Sequence, residues 1–166
     1  MSNWARKYSG LFIGGRSKVG DVVDYTAPVL EVVTEDFRAG GMDMPIAMDM
    51  GMNAISAGWT MGEDPDVLGL FGLKQGADMA VFVRSTLEND ATGEVKQVVE
   101  ELRGQLTKVD NGTWSAGKYT PTTFEMKLRY YKKIIDGTVI HEIDPVNMVR
   151  TINGVNQLEK HKFILG

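Results

Sequence analysis

The sequence predicts an all-β fold with one short helix, arranged as a sandwich or a barrel. Three observations predict it: several runs alternate apolar and polar residues, Asn-Gly or Asp-Gly pairs end some of these runs, and only one short segment favours a helix. The chain has 166 residues, which is the size of one domain, and no linker or internal repeat divides it. We therefore expect a single domain over residues 1–166.

The C-terminal half contains the clearest strand pattern. Apolar residues occupy alternate positions from Phe124 to Tyr130, which is typical of a half-buried strand. Asp136-Gly137 follows, and this pair is preferred in two-residue hairpin turns. Residues 138–144 then read as the return strand and residues 146–152 as a third. Together they predict an antiparallel meander.

Upstream, we expect further strands at residues 8–13, 25–37, 55–61 and 78–85. Residues 95–107 are ambiguous, because Val95, Val98, Val99 and Leu102 have helical spacing whereas the β-branched valines and Gly104 favour a strand. The helix is expected to begin at Asp64, which can cap it, with Pro65 in its first turn, and to run to about Leu73.

Residues 38–54 form the longest segment without a strand or helix pattern. Six of the ten methionines lie between Met42 and Met61, and five of these lie within the segment, so it is apolar. Methionine suits an adaptable binding surface, and an exposed apolar loop of this length needs a partner surface. We predict an extended loop over 38–54, with Gly40 and Gly41 allowing the turn into it through positive φ.

Composition excludes several classes of protein. The chain has no cysteine, only two histidines and a formal net charge of −4, which argue against thiolate chemistry, a histidine metal site and a cationic nucleic-acid binder. The sequence from Gly112 to Lys118 matches a phosphate-binding loop, but Tyr119 stands where Ser or Thr should bind magnesium. We expect no enzyme, cofactor or metal. No apolar run approaches 18 residues, so we expect no membrane segment.

A basic stripe alternates along the strand that begins at Phe124. Lys127, Arg129 and Lys133 would share one face, with Tyr130 and Tyr131 beside them. Such a stripe could bind nucleic acid by stacking and phosphate contact. A solvated strand face, or one half of a charge-complementary subunit interface, explains it more simply.

Several segments occur in an order and spacing that resemble the major tail tube protein of contractile-tailed phages and of the related R-type pyocins. They cover about residues 25–166, and the hairpin followed by Ile143-Asp-Pro-Val-Asn-Met148 is the most specific. The others are Arg38-Ala-Gly-Gly-Met42, Ile55-Ser-Ala-Gly-Trp59-Thr-Met-Gly62, residues 94–104, Trp114-Ser-Ala-Gly117 and Asn153-Gly154-Val155. Residues 1–20 match less well.

The resemblance implies a β-sandwich or half-barrel with one flanking helix and an extended N-terminal arm. It further implies that six subunits join edge to edge into a multi-subunit β-barrel ring, and that stacked rings form a hollow tube in the virion. The sheath protein would lie outside, the tape measure protein and transiting DNA inside, and the baseplate or tail-tip proteins at the end. Assembly would take place in the host cytoplasm. A subunit with free sheet edges would otherwise aggregate, and a closed barrel pairs those edges.

The resemblance also suggests roles for the unusual segments. The loop is expected to reach a neighbouring ring or subunit through Gly40, Gly41, Met42, Met44, Ile46, Met48, Met50 and Met52. Lys127, Arg129 and Lys133 are candidates for charged contacts between subunits. The alternatives are a tube component of a type VI secretion system and a soluble β-barrel binding module for oligonucleotide or sugar.

Overall fold

The computed structural model describes residues 3–70, 76 and 78–166. This part of the chain contains twelve strands and two helices: β1 (Trp4–Ile13), β2 (Arg16–Ser17), β3 (Val22–Thr26), β4 (Val32–Phe37), β5 (Ile46–Met52), β6 (Ser56–Met61), α1 (Pro65–Leu70), β7 (Asp78–Asn89), β8 (Val95–Asp110), β9 (Thr122–Ile135), β10 (Thr138–Asp144), β11 (Val149–Ile152), β12 (Val155–Asn156) and α2 (Glu159–Leu165). The all-β class and the C-terminal meander are confirmed. The second helix, α2, was not predicted.

Ten strands form one antiparallel sheet in which β9 is the branch point. The order is β12-β11-β10-β9-β8-β7-β1-β2, and β6 leaves this path by pairing with the first half of β9 and with β3. The second half of β9 pairs with β10 on that same edge. The sheet curls without closing, which agrees with the predicted half-barrel.

One hydrophobic core fills the concave side of the curled sheet. Trp59 on β6 stacks on Phe124 of β9, with ring centroids 5.6 Å apart and planes 17° apart. Val67 brings α1 onto the same core, where it is fully buried. The other large buried members are Leu11, Ile13, Met61, Val81, Val83, Leu102, Leu106 and Met126. The opposite face of β1, β7, β8 and β9 is covered by no other layer of the described chain, and we call it the uncovered face.

A bulge in β9 changes which side chains reach the core. Arg103 pairs with Tyr130 while Gly104 pairs with Leu128, so Arg129 is an extra residue on β9. Tyr131 is therefore buried, whereas Tyr130 lies on the uncovered face under the Arg103 guanidinium, 5.2 Å from it. Strict alternation along β9 predicts that Tyr130 faces the core. This prediction is wrong, because the bulge inserts one extra residue and the side chains that follow it change faces.

The ambiguous segment around residue 100 is the strand β8, which pairs with β7 and β9. Its buried residues alternate with more exposed ones at positions 98, 100, 102, 104 and 106. The single strand expected over 25–37 is wrong. Residues 27–31 interrupt it, and Pro28 within them has no N–H for a ladder. β3 and β4 therefore belong to different sheets.

The start of α1 is as predicted. The Asp64 side chain accepts a hydrogen bond from the backbone N–H of Asp66 at 2.9 Å and also forms an ion pair with Lys18. Its expected extension to Leu73 lies outside the described residues. No helix in the described ranges is long and apolar enough to span a bilayer.

Two further expectations need correction. The second half of segment 38–54 is the strand β5, which pairs with β4, so the irregular loop is limited to residues 38–45 and 53–54. The expected N-terminal arm corresponds to β1, which pairs with β7 from Trp4 to Ile13. In both segments successive side chains point to opposite faces, as in any strand, and pairing with a neighbouring strand holds the backbone extended.

Candidate assembly surface

The β4–β5 hairpin forms a separate two-stranded sheet with two unlike faces. Glu35 pairs with Met48, and Phe37 with Ile46, so these side chains share one face. Thr34 pairs with Asp49, and Asp36 with Ala47, on the other. An isolated two-stranded hairpin is only marginally stable in water, so an amphipathic one needs a surface to pack on.

The apolar side of this hairpin is exposed. Relative exposure is 47% for Phe37, 49% for Ile46 and 40% for Met48, and Val33 beside them is also exposed. We call these four residues the apolar hairpin face. Contiguous exposed apolar residues mark interaction sites in soluble proteins, so this face is a candidate contact with another molecule.

The polar side of the hairpin faces the body of the subunit. Asp49 on this side forms an ion pair with Arg150 of β11, with a nitrogen–oxygen distance of 2.9 Å. The Gly51 backbone N–H donates to the same carboxylate at 2.8 Å. The hydrogen bond from Gly51 and then that from Arg150 hold the pKa of Asp49 below its usual range. This contact turns the apolar hairpin face away from the subunit.

A groove lies between the hairpin and strands β10 and β11. Leu30, Met52, His141 and Ile152 line it together with the Asp49–Arg150 pair. Burial, and then the charge of Lys133, lower the pKa of His141, so this imidazole is neutral near pH 7. Because Met52 packs against the subunit's own core, it anchors the hairpin.

The residues predicted for the loop are not all in one place. Ile46 and Met48 lie on the apolar hairpin face, and Met44 and Met50 are exposed nearby. Met42 has a local role: its sulfur accepts a hydrogen bond from the Ala39 N–H at 3.3 Å.

Gly40 and Gly41 lie in the turn closed by the hydrogen bond from Met42 N–H to Ala39 O, and neither has positive φ. The prediction of positive φ at these two glycines is therefore wrong. A Cβ at either position would meet nothing within 4 Å, so the turn tolerates other residues there.

The three basic candidates of β9 do not form one stripe. Lys127 pairs with Glu125 at 3.1 Å and Arg129 with Asp78 at 3.1 Å, both at the uncovered face. Lys133 points to the core side, 3.9 Å from the buried Glu100, because the bulge reverses the alternation. A role of these residues between subunits stays a prediction, but each already has a carboxylate partner within the chain.

The core side of β8 and β9 also contains a buried carboxylate, Glu100, whose burial the sequence did not predict. The Tyr131 hydroxyl donates to Glu100 Oε1 at 3.0 Å. Burial, and then the charge of Glu100, raise the pKa of Tyr131, so its phenol stays protonated and remains a donor. This arrangement satisfies part of a buried charge and ties β8 to β9.

The helix α2 is a second exposed apolar element, and the sequence analysis missed it. Phe163, Ile164 and Leu165 are 87%, 77% and 75% exposed, and no residue of the helix is buried. The sequence signal that could have predicted this helix is the apolar run before Gly166, which caps the helix with a φ of 85°.

Comparison with known proteins gives consistent matches over nearly the whole chain. A family model described as phage tail tube protein FII matches residues 7–166. The tail tube protein of Escherichia phage P2 is 32% identical over 165 residues, covering 96% of this chain and 95% of that protein. The major tail tube protein of Serratia phage KSP20 is 30% identical, covering 88% and 85%.

Solved structures share the fold at low sequence identity. A chain in the cryo-EM structure of the anti-feeding prophage baseplate, 6-fold symmetrised, superposes with a TM-score of 0.60 at 14% identity, covering 81% of this chain and 97% of that one. A chain of the sheath/tube terminator of an extracellular contractile injection system, in the extended state, gives 0.58 at 12% identity, covering 76% and 93%.

Proposed function

Because the chain belongs to the phage tail tube protein family, we propose that six copies form a ring and that rings stack into a hollow tube which conducts DNA during genome ejection. The chain is a structural subunit of a contractile, phage-like tail tube. The number of subunits in a ring, the stacking of rings and the conduction of DNA are the parts of the proposal that go beyond family membership. A six-fold symmetrised baseplate that contains the same fold supports the number six.

The observation that carries this proposal is the apolar hairpin face. It consists of Val33, Phe37, Ile46 and Met48, exposed on an element that the subunit holds only from its polar side. In a subunit that works alone, this surface would favour aggregation. In a tube, contact with a neighbouring ring or subunit would bury it.

The long strands suggest how the wall is built. β9, β8, β7 and β1 are adjacent in the sheet, and the edge of β1 over residues 4–10 pairs with no described strand. Six copies of four strands make about 24 strands, which at ~4.8 Å spacing and ~40° tilt give a barrel on the order of 48 Å across. We assign the uncovered face of these strands to the lumen.

The partners follow from this assembly. Solved structures with the same fold include a sheath-tube complex, a baseplate and a tube-terminating cap. By analogy, the sheath protein would enclose this tube, baseplate or tail-tip proteins would contact one end, and the tape measure protein would occupy the lumen before DNA. The subunits would assemble in the host cytoplasm and remain in the virion.

The experiment is electron microscopy and size-exclusion chromatography of the concentrated subunit, compared with a Met48→Asp, Met50→Asp double variant. Wild type is expected to form rings or tubes with an open centre. The double variant is expected to remain monomeric with unchanged circular dichroism and thermal unfolding, because both side chains are exposed in the free subunit.

A matched control places the same charge elsewhere. Val146→Asp, Val155→Asp changes two exposed apolar residues outside the hairpin and is expected to leave assembly unchanged. Tubes of normal length from the Met48→Asp, Met50→Asp variant would show that the hairpin is not an assembly contact. A wild-type protein that stays monomeric even with a tail-tip partner would contradict the proposed function.

A further inference from the structure

We propose that the partner of the apolar hairpin face is the C-terminal helix α2 of a second copy. This inference rests on the proposed function and names the two surfaces that meet. Phe163 and Ile164 of one copy would pack on Phe37, Ile46 and Met48 of the next.

The contact is between copies because a subunit's own helix lies on the wrong side of its hairpin. Only residues 157–158 separate β12 from α2, and the Gln157 N–H donates to Arg150 O at 2.9 Å, which holds the start of the helix beside β11. Arg150 is also the residue that binds Asp49 on the polar side of the hairpin. The apolar hairpin face points away from this side, so it is free for another copy.

Two unlike surfaces are what a propagating assembly requires. A contact between different patches repeats from copy to copy and closes into a ring or continues as a filament, whereas a self-complementary patch stops at a dimer. In the described part of the chain, the hairpin and α2 are the elements on which several large apolar side chains are exposed side by side. Both are also too short to be stable alone, so docking would order each of them.

Charge favours the same pairing. Residues 31–52 carry five carboxylates and one arginine, whereas α2 carries two lysines and one glutamate. Glu35 lies on the apolar hairpin face, opposite Met48. Lys160 precedes Phe163 by three residues and Ile164 by four, so it shares their side of the helix. Apolar contacts flanked by Glu35 and Lys160 would fix the orientation of the helix on the hairpin.

Cysteine cross-linking tests this contact directly, because the chain has no cysteine of its own. A Met48→Cys, Ile164→Cys variant oxidised after assembly is expected to give a ladder of covalent oligomers on a non-reducing gel. Each single variant can give at most dimers. The control is Met48→Cys, Val146→Cys, whose second cysteine is equally exposed but lies in the β10–β11 connection, and it is expected to give no ladder.

The outcomes separate this inference from the proposed function. If tubes form but the variant gives no ladder, the contact between the hairpin and α2 is wrong and the proposed tube function stands. If a ladder forms but no tubes do, the contact is supported and the proposed tube function is contradicted. Charge reversal gives a second readout. Glu35→Lys and Lys160→Glu are each expected to raise the protein concentration needed for assembly by about fivefold, and the combined variant should return it towards wild type. Additive losses in the combined variant would contradict the pairing.

Discussion

At the bulge in β9, two backbones approach more closely than any side chain allows. A Cβ added to Gly104 would lie 2.0 Å from Lys127 O and 2.9 Å from the Leu128 Cα. Both obstacles are backbone atoms of a strand that is itself hydrogen-bonded on both edges. Gly104 is therefore what permits the bulge, and the bulge in turn places Tyr131 in the core and Tyr130 on the uncovered face.

Gly104→Ala is expected to lower the free energy of unfolding by about 1–3 kcal/mol, the usual range for overpacking a well-packed site. Urea denaturation of the free subunit measures it. Gly40→Ala is the matched control, since its Cβ would meet nothing within 4 Å, and it should leave the urea midpoint within error or raise it slightly. Equal midpoints for Gly104→Ala and wild type would show that β8 and β9 can separate there without cost.

Among the elements, those set by local chemistry were predictable. The meander follows from alternation and an Asp-Gly turn, and the start of α1 follows from Asp64, because these signals act within a few residues. The bulge in β9 was not predictable from such local signals, because it depends on the close approach of Gly104 to a strand segment more than twenty residues away. β5 was missed although Ile46, Met48 and Met50 alternate, since the residues that alternate with them, Ala47, Asp49 and Gly51, are weak strand formers. Several of its residues are those predicted to contact a neighbouring ring or subunit, and that role stays a prediction.

The hairpin's attachment to the subunit is expected to depend on pH. Because the pKa of Asp49 is lowered in the fold, the stabilisation from its contacts is present above the ordinary carboxylate pKa of about 3.9 and is lost as the pH falls through the lowered pKa. In NMR spectra of the free subunit, hairpin amides should therefore shift below about pH 4.

Asp49→Asn keeps an acceptor for the Gly51 N–H but removes the charge that binds Arg150, so it should show the low-pH hairpin shifts already at pH 7. Asp43→Asn, in the hairpin connection, removes the same charge at a site with no ion pair among the described residues, and it serves as the control. If Asp49→Asn and wild type give identical hairpin spectra at pH 7, the ion pair does not position the hairpin.

For the whole molecule, the charges of the uncovered face fit a conduit for a polyanion. Three of the cations there are paired by the chain itself, Arg103 with Glu101, Lys127 with Glu125 and Arg129 with Asp78. Arg84 lies over the Phe12 ring, 4.7 Å from its centroid, and Lys108 lies opposite Glu125 in the strand register. Lys132 lies opposite Glu101 and Glu142 in the strand register. A wall with free cations would bind phosphates and slow DNA, whereas paired cations leave little net attraction. This placement of Lys127 and Arg129 differs from the subunit contact expected from the sequence.

Assigning the uncovered face to the lumen predicts which positions a large reagent can reach in assembled tubes. Gln97 is exposed on the uncovered face, opposite Thr86 in the register, and Asp66 is exposed on α1, which packs on the core side of the sheet. In tubes, a Gln97→Cys variant should react with a small maleimide but not with a maleimide on a large polymer, because the polymer enters only at the tube ends. An Asp66→Cys variant should react with the polymer more extensively, and both variants should react fully as free subunits. If the polymer labels Gln97→Cys tubes as completely as Asp66→Cys tubes, the uncovered face lies outside, and its paired cations would then face the sheath instead of DNA.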